Sequence, residues 1–134
     1  MFDDIRILAV DDDSMNLEML EMMLAELDGT IFKAGNGVHA LEILAAEPRI
    51  DLILLDVNIP KVDGITLLAR IRETTALRGV PVVVWSSNRS PKYHRTVLQF
   101  GAMDFLVKPS DLNGWTRVGR RIREILESTP PAAS

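Results

Sequence analysis

The chain has 134 residues, 47% of them apolar, which suits one domain around a single sizeable core and leaves no room for a second. Nineteen acidic against fifteen basic residues give a formal charge of -4, without the basic excess that binding a phosphate backbone requires, so nucleic acid is not an expected partner. With no cysteine there is no disulfide framework and no thiolate metal site, the opening MFDDIRILAV is acidic where a signal peptide is basic, and no apolar run could span a bilayer; a soluble cytoplasmic protein with no membrane partner is expected.

In chain order, the sequence alternates between two hydrophobic periods. Residues 6–10, RILAV, form a short apolar run that opens onto Asp11, Asp12 and Asp13 and predict a buried strand. Ser14 suits a helix start, and Leu17, Leu20, Leu24 and Leu27 recur at helical spacing until Asp28 and Gly29. Residues 30–34 predict a second strand. Gly35 to Gly37 make a turn, and Ala40, Leu41, Ile43 and Leu44 stripe a second helix that ends at Pro48.

Residues 51–55, DLILL, predict a buried strand that runs straight into Asp56, after which Pro60, Asp63 and Gly64 turn the chain sharply. A carboxylate at the end of an apolar strand is costly to ionise unless cations or hydrogen-bond donors meet it there. Ile65, Leu67, Leu68 and Ile71 mark a third helix. Residues 80–85, VPVVVW, read as a strand covered on both faces and end at Ser86. A weaker helix spans 91–100, a short strand spans 104–107 and ends at Lys108, and Leu112, Trp115, Val118, Ile122 and Ile125 line a last helix. The domain is expected over residues 1–127, with 128–134 a disordered tail.

Five strands alternating with five helices imply an α/β doubly wound fold, a parallel sheet with helices on both faces in the order 2-1-3-4-5. Ligands of such sheets sit beyond the carboxyl ends of the strands, where this chain carries Asp11 to Asp13, Asp56, Ser86 and Lys108. Clustered carboxylates repel one another, and a hard divalent cation keeps them ionised; Mg²⁺ fits best, since it binds one or two carboxylates and takes phosphate oxygens as well. Lys108 offers a compact positive charge and Ser86 a hydroxyl donor. An aspartate placed among them can attack phosphorus directly, for a carboxylate needs no base to deprotonate it.

Read together, VDDD at 10–13, LLDVNIPKVDG at 54–64, PVVVWSS at 81–87 and DFLVKP at 104–109 resemble the receiver domain of two-component response regulators over essentially the whole chain. The resemblance implies a flavodoxin-like (βα)5 three-layer sandwich of the stand-alone type. It implies that Asp56 accepts a phosphoryl group from a histidine kinase or phosphotransfer protein, and that Asp11, Asp12, Asp56 and the backbone carbonyl of Asn58 hold Mg²⁺. Lys108 would contact the phosphoryl group, Ser86 would move to hydrogen-bond it, and Phe105 would be the aromatic that changes rotamer. A cis bond between Lys108 and Pro109 is also implied. The chain departs from the family in having Ser86 where threonine is commoner, Phe105 where tyrosine is, and a bulky Trp85 at a strand end beside the site; these changes bear on lifetime and readout.

Individual residues also have plainer readings. Asp13 suits a helix cap better than a further metal ligand, and Asp63 and Gly64 suit a turn. His39 and His94 lack a ligand pattern. Some of Met15, Met19, Met22 and Met23 must pack beside the leucines, and Arg117, Arg120, Arg121 and Arg123 form a solvated face.

The function expected is a phosphorylation-gated signalling switch that changes the surface around helices 4 and 5 to control a downstream protein, with a homodimer left open. It would catalyse its own phosphorylation and slow dephosphorylation without being a turnover enzyme. Two alternatives stand beside it. A small phosphatase of the haloacid dehalogenase type also uses an aspartate nucleophile, Mg²⁺ and a lysine, but wants an aspartate two residues on, where this chain has Asn58. A receiver-like binding module that never takes a phosphoryl group would not need the full set of acids, Ser86 and Lys108.

Overall fold

The computed structural model describes residues 5–25, 29–47, 49–56, 64–74, 77, 79–87 and 90–128. Five strands, β1 (Ile5–Val10), β2 (Gly29–Ala34), β3 (Leu52–Leu55), β4 (Val82–Ser86) and β5 (Asp104–Val107), alternate with five helices, α1 (Ser14–Met23), α2 (Gly37–Ala46), α3 (Gly64–Glu73), α4 (Pro91–Gln99) and α5 (Leu112–Ser128). The strands form one parallel sheet in the order β2-β1-β3-β4-β5. That is the order expected from the sequence.

The strands are apolar on both faces because helices cover both. Alternate side chains sort into two cores. Leu8, Val10, Ile53, Leu55, Val82, Val84 and Phe105 pack against residues of α2, α3 and α4, while Ile7, Ala9, Leu52, Leu54, Val83 and Trp85 pack against residues of α1 and α5. Three layers result. Truncating one of the fully buried leucines, Leu8 or Leu54, to alanine would cost about 2–5 kcal/mol.

Two boundaries differ from those the sequence suggested. β4 begins at Val82 rather than Val80, because Pro81 has no N–H for the ladder and the Val80 N–H is bonded to the Leu77 carbonyl in a turn. α1 stops at Met23, well before Asp28. Its capping residue Leu24 returns its N–H to Leu20, and α5 closes over that end: Arg123 donates to the Met23 carbonyl, and Gly119 lies so near that a Cβ there would sit 3.3 Å from the Met23 Cβ. Ser128, assigned by sequence to the tail, is the last residue of α5, and its hydroxyl donates to the Ile125 carbonyl. The rest of the expected tail lies outside the described residues.

Capping follows the sequence closely. The Asp13 carboxylate accepts from the Met15 N–H, Asn36 accepts from His39 at the start of α2, and Ser90 caps α4 with Pro91 in its first turn. Of the α1 methionines, Met19 and Met23 pack against the core whereas Met15 and Met22 are exposed.

Candidate functional site

The parallel register brings the polar strand ends together. Val10 pairs with Leu55, so the residues that follow them, Asp11 and Asp56, emerge side by side, and the Asp56 N–H donates to the Val10 carbonyl. Ser86 pairs with Val107, and the next residue, Lys108, donates its N–H to the Ser86 carbonyl. The chain leaves β1 toward β2 and leaves the adjacent β3 toward β4, in opposite directions across the sheet, and the crevice at that reversal is where such folds bind ligands.

Three carboxylates meet there. Asp11, Asp12 and Asp56 each present an oxygen within 4.8 Å of the others, Asp11 and Asp56 buried and Asp12 exposed. The Lys108 Nζ donates to Asp56 Oδ2 at 2.7 Å and lies 2.9 Å from Asp11 Oδ2. Asp11 accepts further bonds from the Asp13 N–H at 2.9 Å and from the Asn16 amide at 3.1 Å, so its buried charge is met from several directions. Burial pushes the Lys108 ammonium toward deprotonation, but hydrogen bonds to Asp56 and Asp11 and the charges of both outweigh it and raise its pKa above the ordinary lysine value. Lys108 is a cation at any physiological pH. Among the described residues, three acids against one ammonium leave an excess of about two negative charges, and hard oxygens with that excess suit a divalent cation of the magnesium, manganese or calcium type.

The backbone that carries Lys108 is tightly held. The peptide bond to Pro109 is trans, contrary to the cis bond implied by the family resemblance; trans is the form X-Pro bonds favour by about 0.5–1 kcal/mol, and from it Lys108 already reaches both carboxylates. The first turn of α5 lies against Pro109 so closely that a Cβ on Gly114 would sit 2.5 Å from the proline Cβ.

Ser86 is fully buried at the end of β4. Phe105 is buried on the α4 side of the sheet, stacked on the His94 ring at 4.4 Å and edge-on to Tyr93 at 6.1 Å. Asn58, expected to lend a carbonyl, lies outside the described residues. Asp13 caps α1, as its plainer reading held.

Two residues beside the site make contacts that sequence reasoning missed, one to Asp11 and one to Lys108. Asn16 sits in the first turn of α1, where an amide among apolar residues carried no signal of its own. Trp85 was noticed for its bulk, but its partners were not foreseen: it is fully buried, its indole N–H points at the Val10 carbonyl 3.5 Å away, its ring meets Trp115 of α5 edge-on at 5.9 Å, and the Lys108 ammonium lies 5.3 Å from its centroid. The face was legible from strand alternation with Val83; the contact with Lys108 was not. On α5, Arg121 pairs with Asp104 and Arg123 bonds to α1, so the arginine face is partly committed to the fold.

A family model described as the response regulator receiver domain matches residues 7–117. The chain is 33% identical over 116 residues to the two-component response regulator ORR3 of Oryza sativa subsp. japonica, a match covering 87% of this chain and 88% of that one. Among solved structures it is similar to the Mn(2+)-bound form of response regulator Rcp1, with a TM-score of 0.85 and 26% identity over 95% of this chain and 98% of that one. It is likewise similar to the phosphorylated cyanobacterial phytochrome response regulator RcpA, with a TM-score of 0.87 and 27% identity over 98% and 99% of the two chains.

Proposed function

The chain belongs to the response regulator receiver domain family, and from that premise we propose that it is a signalling switch set by transfer of a phosphoryl group to Asp56. The observation that carries this reading is the ion pair of 2.7 Å between Lys108 and Asp56 at the mouth of the sheet, inside a group of three acids. An oxygen of Asp56 attacks phosphorus, the bond from phosphorus to the donor breaks, and the electron pair leaves with the donor's nitrogen or oxygen. No base is required. As the new bond forms, the Lys108 ammonium turns from the Asp56 oxygen to the phosphoryl oxygens, and the Ser86 hydroxyl supplies a donor to them.

Mg²⁺ is the cation proposed for Asp11, Asp12, Asp56 and the Asn58 carbonyl, and when bound it supplies neutralisation of the charge on the phosphoryl oxygens. The donor set fits it, being wholly of oxygen and carrying an excess of negative charge. Neighbour Rcp1 is described as Mn(2+)-bound, and RcpA as phosphorylated, which supports the same two events here.

Drawing Ser86 toward the phosphoryl group frees space behind it, and Phe105, stacked between α4 and the sheet, is the side chain proposed to respond. The surface around α4 and α5 then changes and a downstream protein reads it. The phosphodonor is a histidine kinase or a histidine phosphotransfer protein, and the setting is the cytoplasm. No helix among the described residues is long and apolar enough to cross a membrane. The chain acts on itself, taking up and slowly losing its phosphoryl group, rather than turning over a substrate.

Acetyl phosphate with MgCl2 tests this. Intact mass spectra should show one added phosphoryl group on the wild-type chain and none on Asp56→Asn; equal labelling of the two would reject Asp56 as acceptor.

A further inference from the structure

Among the described residues Lys108 has three charged or aromatic partners in its seat, and they are not alike. Two are carboxylate oxygens, Asp11 Oδ2 at 2.9 Å and Asp56 Oδ2 at 2.7 Å, and the third is the Trp85 ring, whose centroid lies 5.3 Å from the ammonium. Both carboxylates belong to the acidic trio suited to a divalent cation. Once Asp11 and Asp56 share their charge with such a cation, their pull on the ammonium falls, since the cation neutralises them and repels Lys108. The indole is the neighbour whose attraction survives, because its face has no charge to lose.

The ring is also well fixed. Trp85 is fully buried, its N–H is aimed at the Val10 carbonyl at 3.5 Å, and Trp115 braces it edge-on at 5.9 Å from the first turns of α5. A π-face held in this way outside bulk water attracts a cation more than an exposed one does. It lies on the α1 and α5 side of the sheet, opposite Phe105. The site is therefore supported from a face that the aromatic at residue 105 does not touch.

Resting on the proposed transfer to Asp56, we infer that Trp85 is a positioning residue: its indole face keeps the Lys108 ammonium aimed at the pocket after Asp11 and Asp56 are committed to a divalent cation. It acts through Lys108 and touches neither phosphoryl group nor metal. Leucine at this position supplies an apolar side chain without a π-face, and phenylalanine supplies a smaller face.

The direct readout is the side-chain proton spectrum of Lys108, which needs no phosphodonor. Its methylene protons next to the ammonium, identified by their loss in Lys108→Met, should be shifted upfield by the indole ring current relative to the other lysines, both without metal and at saturating MgCl2. In Trp85→Leu they should return to the range of the others. Phosphoryl uptake from acetyl phosphate at saturating MgCl2 should slow about fivefold in Trp85→Leu, which converts to about 1 kcal/mol of barrier, and less in Trp85→Phe. The inference is overturned if the upfield shift is absent or collapses in the wild-type chain at saturating MgCl2, or if Trp85→Leu takes up phosphoryl as fast as wild type. Should Trp85→Leu not fold, the wild-type spectrum with MgCl2 and the Trp85→Phe rate decide. A wild-type chain that takes no phosphoryl group while keeping the shift would sink the proposed function and leave the lysine seat standing.

Discussion

Replacing Lys108 with methionine keeps the length of the side chain and removes a charge that bridges Asp11 and Asp56. Breaking a buried pair by removing one partner costs about 3–5 kcal/mol, because the remaining charge is left uncompensated. Here the cost should be smaller. The Lys108 side chain keeps 17% of its surface in solvent, and Asp11 retains the Asp13 N–H and the Asn16 amide. About 2–3 kcal/mol is expected on those grounds, which for a chain of 134 residues lowers Tm by roughly 6–12 °C. MgCl2 should then rescue the variant more than it stabilises wild type, since the two buried acids no longer have an ammonium to compete with the ion; at a hundred times its Kd a bound ion contributes about 2.7 kcal/mol. The assay is thermal unfolding by circular dichroism with and without MgCl2. A variant as stable as wild type, or one that gains no more from MgCl2 than wild type gains, would refute the view that Lys108 neutralises these carboxylates.

The same pair sets an alkaline dependence. Lys108 has a folded pKa raised above the ordinary value of 10.5, so the stability it contributes is fully present below that value and is lost as pH climbs through the folded one. The deficit of Lys108→Met in urea unfolding should hold steady from neutral pH to the ordinary lysine value and shrink beyond it; a deficit that shrinks below that pH would contradict the sign. Asn16→Ala removes a donor from Asp11, and should cost about 1 kcal/mol in urea unfolding and weaken Mg²⁺ binding by about tenfold in calorimetry, a change absent if Asn16 does not orient the carboxylate. Gly101 has φ +104° and a Cβ there would sit 2.8 Å from Arg72 Cγ, so Gly101→Ala should destabilise by about 1–3 kcal/mol with the urea m-value unchanged; wild-type stability would refute the strain.

Much of the fold was legible because local pattern and global architecture agree. RILAV, DLILL and VPVVVW are strands bounded by charge or turn residues, and helical stripes between them leave a parallel sheet as the natural solution. Asp11, Asp56 and Lys108 were legible in position for the same reason: each follows an apolar strand directly. What escaped depends on contacts between distant segments. The early end of α1 is set by Arg123 and Gly119 a hundred residues away, and no local signal near Met23 announces it. The late start of β4 could have been read from Pro81. The seat of Lys108 against Trp85 required the handedness of β4 and the reach of a flexible side chain at once. The isomer at Pro109 was taken from resemblance, and the trans bond differs from it.

The most direct measurement is the position of the phosphoryl group. Borohydride reduction after treatment with acetyl phosphate and MgCl2 converts an aspartyl phosphate to homoserine, which peptide mass spectrometry locates. Homoserine at position 56 and no other is the predicted result; conversion at 11 or 12 instead, or phosphate retained on Ser86, would contradict it.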